Sequence, residues 1–349
     1  MPLISRATEA DLPEVQRFID EHWLKGHVLA RSLDLLKWQY GDPASDDYNL
    51  VLARGEQGLL GILGYVPSRR FERDDLANPT VWLALWQVRE DIRIPGLGLL
   101  LWRFIADREK PALFATLGIN ETTLPLYKRL GYETGELDHH LILNPDKTEF
   151  KILSSIPGLR ALSIASSLSD PDFVVRELVD DTAWASFRRQ FTWKQPPGVA
   201  PRKTLSYFEN RYFAHPFYRY SLFGISSTDG SSVGLVVLRK VEGLGGCALR
   251  IIDALGPDDI WQALAHAAPS LLQAVGAQYL DLLSHGIPLD TLRAAGFIDR
   301  RSHPEWVVPN HFEPFSQATK VVRYAAKSGA GLRYVAFKGD GDQDRPNLL

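Results

Sequence analysis

Apolar and polar residues alternate with two different periods along residues 1–143, and the periods predict strands and helices. Apolar side chains alternate with polar ones over 2–8, which is typical of a strand, and then recur at helical spacing from Leu12 to Trp23. The rest of this stretch predicts a helix over 32–41, strands over 48–54, 58–68 and 81–88, a helix over 97–109, a strand over 112–119, a helix over 121–131 and a strand over 136–143. The order is therefore β-α-α-β-β-β-α-β-α-β.

The same order of elements returns in residues 173–297. It consists of a strand over 173–179, helices over 181–191 and 204–213, strands over 218–226, 231–242 and 247–256, a helix over 259–276, a strand over 278–286 and a helix over 288–297. An internal duplication explains the repeat, although any α/β chain alternates strands and helices. The intervening 146–172 is rich in serine and proline and predicts a linker. We therefore expect two domains, 1–145 and 173–349, each with helices on a mixed sheet.

Composition and charge indicate the cellular compartment of the protein but do not indicate which reaction it catalyses. The 349 residues are 45% hydrophobic and 23% charged with a net charge of −3, so no basic surface argues for a nucleic-acid partner. The single cysteine, Cys247, excludes an intrachain disulfide and suits a reducing compartment. The N-terminus lacks an apolar signal core, and no apolar run approaches the ~18 residues of a membrane span. We expect a cytoplasmic protein without a membrane span.

The turn before the helix over 97–109 has the residues of an anion site. Its sequence, "RIPGLG", begins with Arg93 and contains Gly96 and Gly98. A helix N-terminus offers unpaired N–H groups and a partial positive charge, glycines let phosphate oxygens approach the backbone, and an arginine adds a fixed charge. The equivalent turn of the second half, "GPDDIW", instead carries Asp258 and Asp259, which would repel a pyrophosphate. The alternative is that the glycines only shape a tight turn.

The element order, the R-x-x-G-x-G loop and a second motif together resemble the GNAT superfamily of acyl-coenzyme A dependent N-acyltransferases. The second motif is "GINETTLPLYKRLGYE", in which Asn120 is followed by Tyr127 just before a glycine and an aromatic residue. The resemblance covers residues 1–143 by motif and 173–337 by topology only. In the second half Leu292 stands where the first half has Tyr127, so we expect the second unit to be degenerate.

The resemblance implies a role for each of these residues. Backbone amides of the loop would hold the pyrophosphate of acetyl-CoA or another acyl-CoA, the end of the strand at Val88 would bind the pantetheine arm, and no metal is implied. Tyr127 would protonate the leaving thiolate. The implied coenzyme-binding residues are Val88, Arg93, Ile94, Pro95, Gly96, Leu97, Gly98 and Asn120. A core aromatic at Tyr127 and a helix cap at Asn120 remain alternatives.

The acceptor side has weaker signals. In GNAT folds the region between the first helices and the second strand usually lines the acceptor pocket. The resemblance therefore implies a catalytic role for His27 and substrate binding by Trp38 and Tyr40, all of which lie in this region. An ordinary loop histidine at His27 and core aromatics at the other two positions are the alternatives.

Acidic residues alternate along the C-terminal stretch "YVAFKGDGDQDRPNLL". Such a tail after two GNAT-like units resembles bacterial N-acyltransferases of nucleotide-linked amino sugars, which serve surface polysaccharide biosynthesis. Under this resemblance Asp342 would be catalytic, while Asp340, Asp344 and Arg345 would bind the acceptor. A solvated acidic tail is the alternative.

The sequence-based hypothesis is thus an acyl-CoA-dependent N-acyltransferase acting on the amine of a nucleotide-linked amino sugar. A tandem-GNAT aminoacyltransferase of peptidoglycan synthesis is one alternative, but such enzymes bind tRNA and usually lack a competent coenzyme loop. A non-catalytic acyl-CoA sensor is the other, although a sensor has less reason to keep Tyr127. The intact loop and the near-neutral charge argue against the tRNA-dependent alternative, but a sensor would keep the loop as well, so that alternative stays open.

Overall fold

Two mixed β-sheets with helices packed on their faces make up the computed structural model, which describes residues 2–72, 79–92, 94–154, 172–341 and 344. The strands are β1 (Leu3–Ala7), β2 (Tyr48–Gly55), β3 (Gly58–Pro67), β4 (Thr80–Val88), β5 (Leu113–Leu117), β6 (Glu133–Glu136), β7 (Asp138–Leu143), β8 (Phe173–Glu177), β9 (Val199–Ala200), β10 (Ser221–Ser227), β11 (Ser232–Gly243), β12 (Gly246–Leu255), β13 (Tyr279–His285), β14 (Ile298–Asp299), β15 (His311–Phe312), β16 (Phe315–Ser316), β17 (Arg323–Ser328), β18 (Arg333–Tyr334) and β19 (Ala336–Phe337).

The α-helices are α1 (Leu12–Phe18), α2 (Val28–Arg31), α3 (Leu33–Tyr40), α4 (Leu97–Glu109), α5 (Leu124–Arg129), α6 (Asp181–Gln190), α7 (Leu205–Phe208), α8 (Ile260–Val275) and α9 (Leu289–Ala294). A π-helical turn extends α1 over Ile19–Trp23 and α7 over Glu209–Phe213. Short 3₁₀ turns cover Glu9–Asp11, Ser68–Arg70, Glu121–Thr123 and Arg300–Ser302. The predicted element order is found in the structure, while β6, the short helix α2, β9 and the strands β14 to β17 were not predicted. Among the described residues, no helix combines the length and apolarity that crossing a bilayer requires.

Helix α4 shows how the apolar pattern becomes structure. Leu97, Leu101 and Ile105 recur every fourth residue and are buried, so they form the stripe that packs on the first sheet. The chain enters the helix through Gly96, whose φ of 80° lies in the left-handed region that favours glycine. The direction in which α4 starts is therefore fixed by this glycine.

Each sheet takes one strand from the other half of the chain. The first sheet has the order β1-β2-β3-β4-β5-β17-β6, and the second has the order β8-β10-β11-β12-β13-β7-β14. Strand β17 lies between β5 and β6, with Ala325 opposite both Thr116 and Thr134. Strand β7, expected as the last strand of the first domain, pairs with β13 instead, with Leu143 opposite Tyr279. These two strands correct the expected division at residue 145, because pairing follows the open sheet edge and not chain order.

A continuous core joins the two halves. One hydrophobic cluster contains Leu36, Tyr40 and Trp82 from the first half together with Tyr207 and Tyr212 from the second. All five side chains are almost completely buried. The halves therefore pack as one body and not as two separately covered units.

Polar contacts reinforce the junction. The Glu72 carboxylate accepts hydrogen bonds from the Thr204 backbone N–H at 3.0 Å and from its hydroxyl at 2.8 Å. The Asn210 amide donates to the Phe71 carbonyl at 2.7 Å. These contacts fix the second half against the segment that precedes β4.

Candidate active site

Strands β4 and β5 separate halfway along their length. Their parallel pairing runs from Thr80 to Leu83 on β4 and ends opposite Thr116 on β5. Strand β4 nevertheless continues to Val88 along its other neighbour, β3, and it carries a bulge where two of its residues oppose one of β3. A bulge bends a strand and increases its twist. The backbone of β4 beyond Leu83 therefore borders an open cleft.

The cleft has a volume of about 680 Å³. Among the predicted site residues, it is lined by His27, Val88, Gly98, Asn120 and Tyr127. These residues come from five separate segments of the first half, so the fold brings together what the sequence spreads over a hundred positions. The size lies within the roughly 300–1,000 Å³ that is usual for ligand pockets.

The N-terminus of α4 contributes Gly98 to the lining of this cleft, and Gly96 precedes it at the start of the helix. A Cβ atom added to Gly96 would meet no atom within 4 Å, whereas one added to Gly98 would lie 3.2 Å from the Trp86 indole nitrogen. The first N–H groups of a helix have no partner within the helix. Pro95 has no N–H to donate to an anion, and the Leu97 N–H already donates to the Ile94 carbonyl at 3.2 Å. Arg93 lies outside the described residues.

Tyr127 is both a core aromatic and a cleft residue. Its ring packs edge-on against Trp86, with 5.9 Å between centroids, and against Tyr132 at 5.3 Å. The Thr116 hydroxyl forms a hydrogen bond with its phenol. Burial raises the pKa of Tyr127 above its ordinary value, so the phenol keeps its proton at neutral pH. A buried, protonated hydroxyl at a cleft is a suitable proton donor.

Asn120 lies at the cleft wall, directly before a 3₁₀ turn. Its side chain makes no capping hydrogen bond to that turn. Its carbonyl instead accepts from the Thr123 N–H at 3.0 Å and from the Thr123 hydroxyl at 2.7 Å. The side chain is exposed on the cleft side of the turn, so side-chain capping does not explain this asparagine.

His27 reaches the cleft but also has a structural task. Its Nδ1 accepts a hydrogen bond from the Leu29 N–H at 3.2 Å and thereby caps α2. The imidazole packs against the Trp23 ring, with 4.6 Å between centroids. Since Nδ1 is engaged in the cap, a proton accepted from a substrate would have to enter at Nε2.

Trp38 and Tyr40 do not line the cleft, which corrects their expected substrate-binding role. Tyr40 is fully buried and packs so closely on Gly64 that a Cβ there would lie 2.7 Å from its ring. Trp38 stacks on His215 at the junction of the halves, with 4.0 Å between ring centroids. The aromatic spacing on α3 thus reflects packing between helices and sheets, the alternative that the sequence had left open.

Asp340 is a buried ion-pair partner and not an acceptor-binding residue. Its Oδ1 lies 2.8 Å from the Lys203 Nζ, and its Oδ2 accepts from the Phe337 N–H at 2.9 Å. Asp253 also lies 2.7 Å from the same ammonium. Burial alone would lower the pKa of Lys203, but these two carboxylates raise it. The C-terminal stretch is thus anchored in the core at Asp340.

Asp344 is also buried and lies outside the cleft. Its carboxylate is 3.2 Å from the Arg239 Nε of β11, which corrects the direct contact with the acceptor that its place in the tail suggested. Asp342 and Arg345 lie outside the described residues.

The cleft contains residues that the sequence did not point to. Thr116 is the only polar side chain in the buried strand Leu113–Leu117, and this isolated polar residue could have indicated a functional position. His311, Glu313 and Pro314 come from the second half and line the cleft beside the first-half residues. They lie in an irregular stretch far away in the chain, so only the tertiary structure reveals them.

In the second half the chain itself fills the equivalent opening. The parallel pairing of β12 and β13 ends at Ile251 opposite Leu282. Beyond that point β19 pairs with β13, and the next residues bridge to both strands: the Lys338 N–H donates to the Leu283 carbonyl at 3.0 Å, and the Gly339 N–H to the Ile252 carbonyl at 2.8 Å. Residues 336–339 therefore occupy the groove between these two strands, and a smaller cavity of about 330 Å³ remains beyond it, beside Gly256, Pro257 and Asp258 at the start of α8.

Comparison with known proteins identifies the fold. No protein-family model matches the chain, and no curated protein sequence matches it. The structure resembles a GCN5-related N-acetyltransferase from Anabaena variabilis, with a TM-score of 0.56 and 12% identity over 94% of this chain and 72% of that one. A probable N-acyltransferase from Enterococcus faecalis gives 0.54 and 11% over 94% and 72%.

A third similar structure contains a glucosamine N-acetyltransferase region, which belongs to a fungal multi-domain β-N-acetylglucosaminidase. It gives a TM-score of 0.51 and 13% identity over 94% of this chain and 38% of that one. Together these likenesses show a GNAT fold over nearly the whole chain, and they confirm the expected mixed α/β class.

Proposed function

We propose that the chain is an acyl-CoA-dependent N-acyltransferase and that its coenzyme site is the cleft between β4 and β5. The observation that carries this proposal is the meeting of three features in one cleft. These are the unpaired end of β4, the glycine-lined N-terminus of α4, and the buried phenol of Tyr127. Each feature alone is common, but together they supply what a thioester bound through a pyrophosphate requires.

The cleft suits an acyl-CoA in shape and in donors. The open space beside Gly96 admits phosphate oxygens to the first N–H groups of α4, where the helix dipole favours negative charge. The backbone of β4 from Ala84 to Val88 offers polar groups to the amides of a pantetheine arm, much as another strand would. When bound, acyl-CoA supplies an activated carbonyl with a thiolate leaving group.

The residues of this chain would then perform two tasks. Backbone N–H groups of β4 stabilise the negative charge that develops on the carbonyl oxygen during attack. The Tyr127 phenol, held by Thr116, gives its proton to the departing sulfur. The acceptor is therefore a nucleophile that reaches the cleft from the side opposite the phosphate end, and an amine is the nucleophile that N-acyltransferases use.

For the acceptor we propose an amino sugar, in the nucleotide-linked form that the sequence suggested. A glucosamine N-acetyltransferase region is among the proteins with a similar fold, which supports this class of acceptor. The direct tail contacts that first favoured it are absent for Asp340 and Asp344, because both are buried in ion pairs. The assay must therefore compare the free amino sugar with its nucleotide-linked form.

The test is an acyl-transfer assay with the full chain. Acetyl-CoA and longer acyl-CoAs are offered with glucosamine, with nucleotide-linked amino sugars and with lysine-containing peptides, and both the free thiol and the acylated product are measured. We expect amide formation on an amino sugar, with the nucleotide-linked form preferred. Coenzyme binding without any turnover would favour a sensor instead, and peptide acylation would remove the sugar assignment.

Gly96→Asp tests the coenzyme site within the same assay. Asparagine and aspartate both tolerate the left-handed backbone better than most residues, so Gly96→Asn serves as the uncharged control. We expect the aspartate to weaken CoA binding at least tenfold by charge repulsion, and the asparagine to weaken it much less. Equal affinities in the two variants would show that no phosphate lies there.

A further inference from the structure

Glu313 and Glu90 are the acidic side chains that line the cleft in the described part of the chain. Glu90 follows the end of β4 by two residues, toward the turn that leads to α4. Glu313 instead lies between β15 and β16 of the second half, on the segment that also brings His311 to the cleft. An ammonium that enters the cleft along the second-half wall would therefore meet Glu313.

The segment that carries Glu313 is held firmly from below. Arg250 of β12 is almost completely buried and donates to the Asn310 carbonyl at 2.9 Å and to the Pro309 carbonyl at 3.2 Å. Its own charge is balanced by Asp281, with 2.7 Å between Nη2 and Oδ2. The backbone just before His311 is thus fixed, and the carboxylate reaches the cleft from a defined position.

A second arginine, Arg239, partly compensates the negative charge of the Glu313 carboxylate. The Arg239 Nη1 lies 3.4 Å and 3.5 Å from the two Glu313 oxygens. The same guanidinium contacts Asp344, with Nε 3.2 Å and Nη2 3.3 Å from its carboxylate. One positive charge is therefore shared by two carboxylates. Asp344 is enclosed and also interacts with the buried Lys338, whereas 22% of the Glu313 side chain is exposed, so the Glu313 carboxylate is the one of the two that faces the cleft.

We propose that Glu313 binds the acceptor as an ammonium and accepts its proton, and that Asp344 is a positioning residue that shares Arg239 and so leaves the negative charge of Glu313 only partly compensated. This inference rests on the proposed N-acyltransferase function. It gives the C-terminal stretch a role in acceptor binding without direct contact. It also explains why the second half is needed for a site whose coenzyme-binding residues all belong to the first.

The proton and electron balance of the step is complete. The ammonium gives one proton to Glu313, which passes it to solvent at the cleft mouth. The nitrogen lone pair forms the C–N bond, and the C–S bond then breaks with its electron pair on sulfur. Sulfur takes the proton of Tyr127, and the phenolate recovers the second proton that nitrogen releases. The products are an amide, the free thiol and one proton.

Glu313→Gln in the full chain tests the first part of the proposal. We expect the acceptor kcat/KM to fall about 10²-fold or more, as is usual when a proton acceptor is lost, with an unchanged Kd for CoA in calorimetry. Glu313→Asp should recover part of the activity because it keeps the charge. Glu305→Gln, on the same segment but outside the cleft, should retain the wild-type constants. Wild-type values for Glu313→Gln would overturn the role of Glu313.

Asp344→Asn tests the second part. Its loss lets Arg239 pair fully with Glu313, so we expect the acceptor KM to rise about threefold to fivefold at nearly constant kcat, in keeping with the modest strength of partly exposed ion pairs. Asp344→Glu should restore the wild-type KM, which distinguishes positioning from a loss of folding. An unchanged KM in Asp344→Asn would refute the sharing of Arg239. If the wild-type chain binds CoA but acylates no amine, the proposed function fails first, before any variant is compared.

Discussion

The chemical role of the Tyr127 hydroxyl can be tested separately from the packing of its ring, because phenylalanine lacks only the hydroxyl group. Tyr127→Phe keeps the edge-on contacts with Trp86 and Tyr132 and removes only the hydroxyl that Thr116 contacts. We expect kcat to fall by about 10²–10⁴-fold, the usual value of general acid catalysis, with little change in the melting temperature. Steady-state kinetics and thermal unfolding on the same preparation measure both.

Tyr132→Phe is the matched control for this prediction. Its hydroxyl accepts a hydrogen bond from the Trp102 indole at 2.9 Å, so its removal should cost stability and leave kcat near the wild-type value. If both variants lose the same fraction of activity, the effect comes from packing and not from the Tyr127 proton.

His215 predicts a pH dependence of stability. Its Nδ1 accepts from the Phe217 and Tyr218 N–H groups, and burial together with the Arg211 charge lowers the pKa of His215 to about 3. In the unfolded chain a histidine titrates near about 6.5. Between these two values the unfolded state binds more protons, so the free energy of unfolding falls as the pH drops from about 6.5 toward 3.

The change His215→Gln should therefore flatten this slope. One such group contributes up to about 1.4 kcal/mol per pH unit within the window, and nothing above it. Urea unfolding of the wild type and the variant at several pH values gives the difference in slope. Identical slopes would mean that His215 takes up its proton in the folded state as readily as in the unfolded one.

At the scale of elements, the exchanged strands make the two halves depend on each other. Without β17, the first sheet would leave facing edges of β5 and β6 unpaired, and the apolar strand β7 would have no sheet to join. Unpaired edges and an exposed apolar strand favour aggregation over folding. We therefore expect residues 1–145 alone to show no cooperative unfolding in circular dichroism.

Co-expression provides the control for this prediction. Two fragments divided within residues 155–171 contain all strands of both sheets, and we expect them to associate into a complex that unfolds cooperatively. A cooperative transition in the isolated 1–145 fragment would show that the exchange of strands is dispensable.

For the whole molecule, the two halves differ in what their equivalent openings contain. The first-half cleft is open, whereas residues 336–339 fill the groove between β12 and β13. The chain should therefore bind one CoA, and calorimetric titration should give one site per chain. Asp258→Asn at the second-half turn should change neither affinity nor stoichiometry. Two equivalent sites per chain would contradict this interpretation.

The sequence by itself determined the elements and singled out several residues that line the cleft. Strand and helix periods are local, so they predicted the repeated order, and the glycines at 96 and 98 with Tyr127 follow one another closely enough in the chain to form a motif. The same local information could not separate Trp38 and Tyr40 as core aromatics from pocket aromatics, because apolar spacing is alike in both.

Only the tertiary structure decided what depends on distant partners. Strand exchange between β7 and β17 follows from which sheet edges are open, a property of the assembled sheets and not of either strand. The pairing of Asp340 with Lys203, and of Glu313 with Arg239, depends on charges brought together from opposite ends of the second half. The sequence alone does not distinguish a carboxylate such as Asp340, which is buried beside Lys203, from one such as Glu313, which lines the cleft beside Arg239. Folding makes this distinction by placing a particular cation beside each of them.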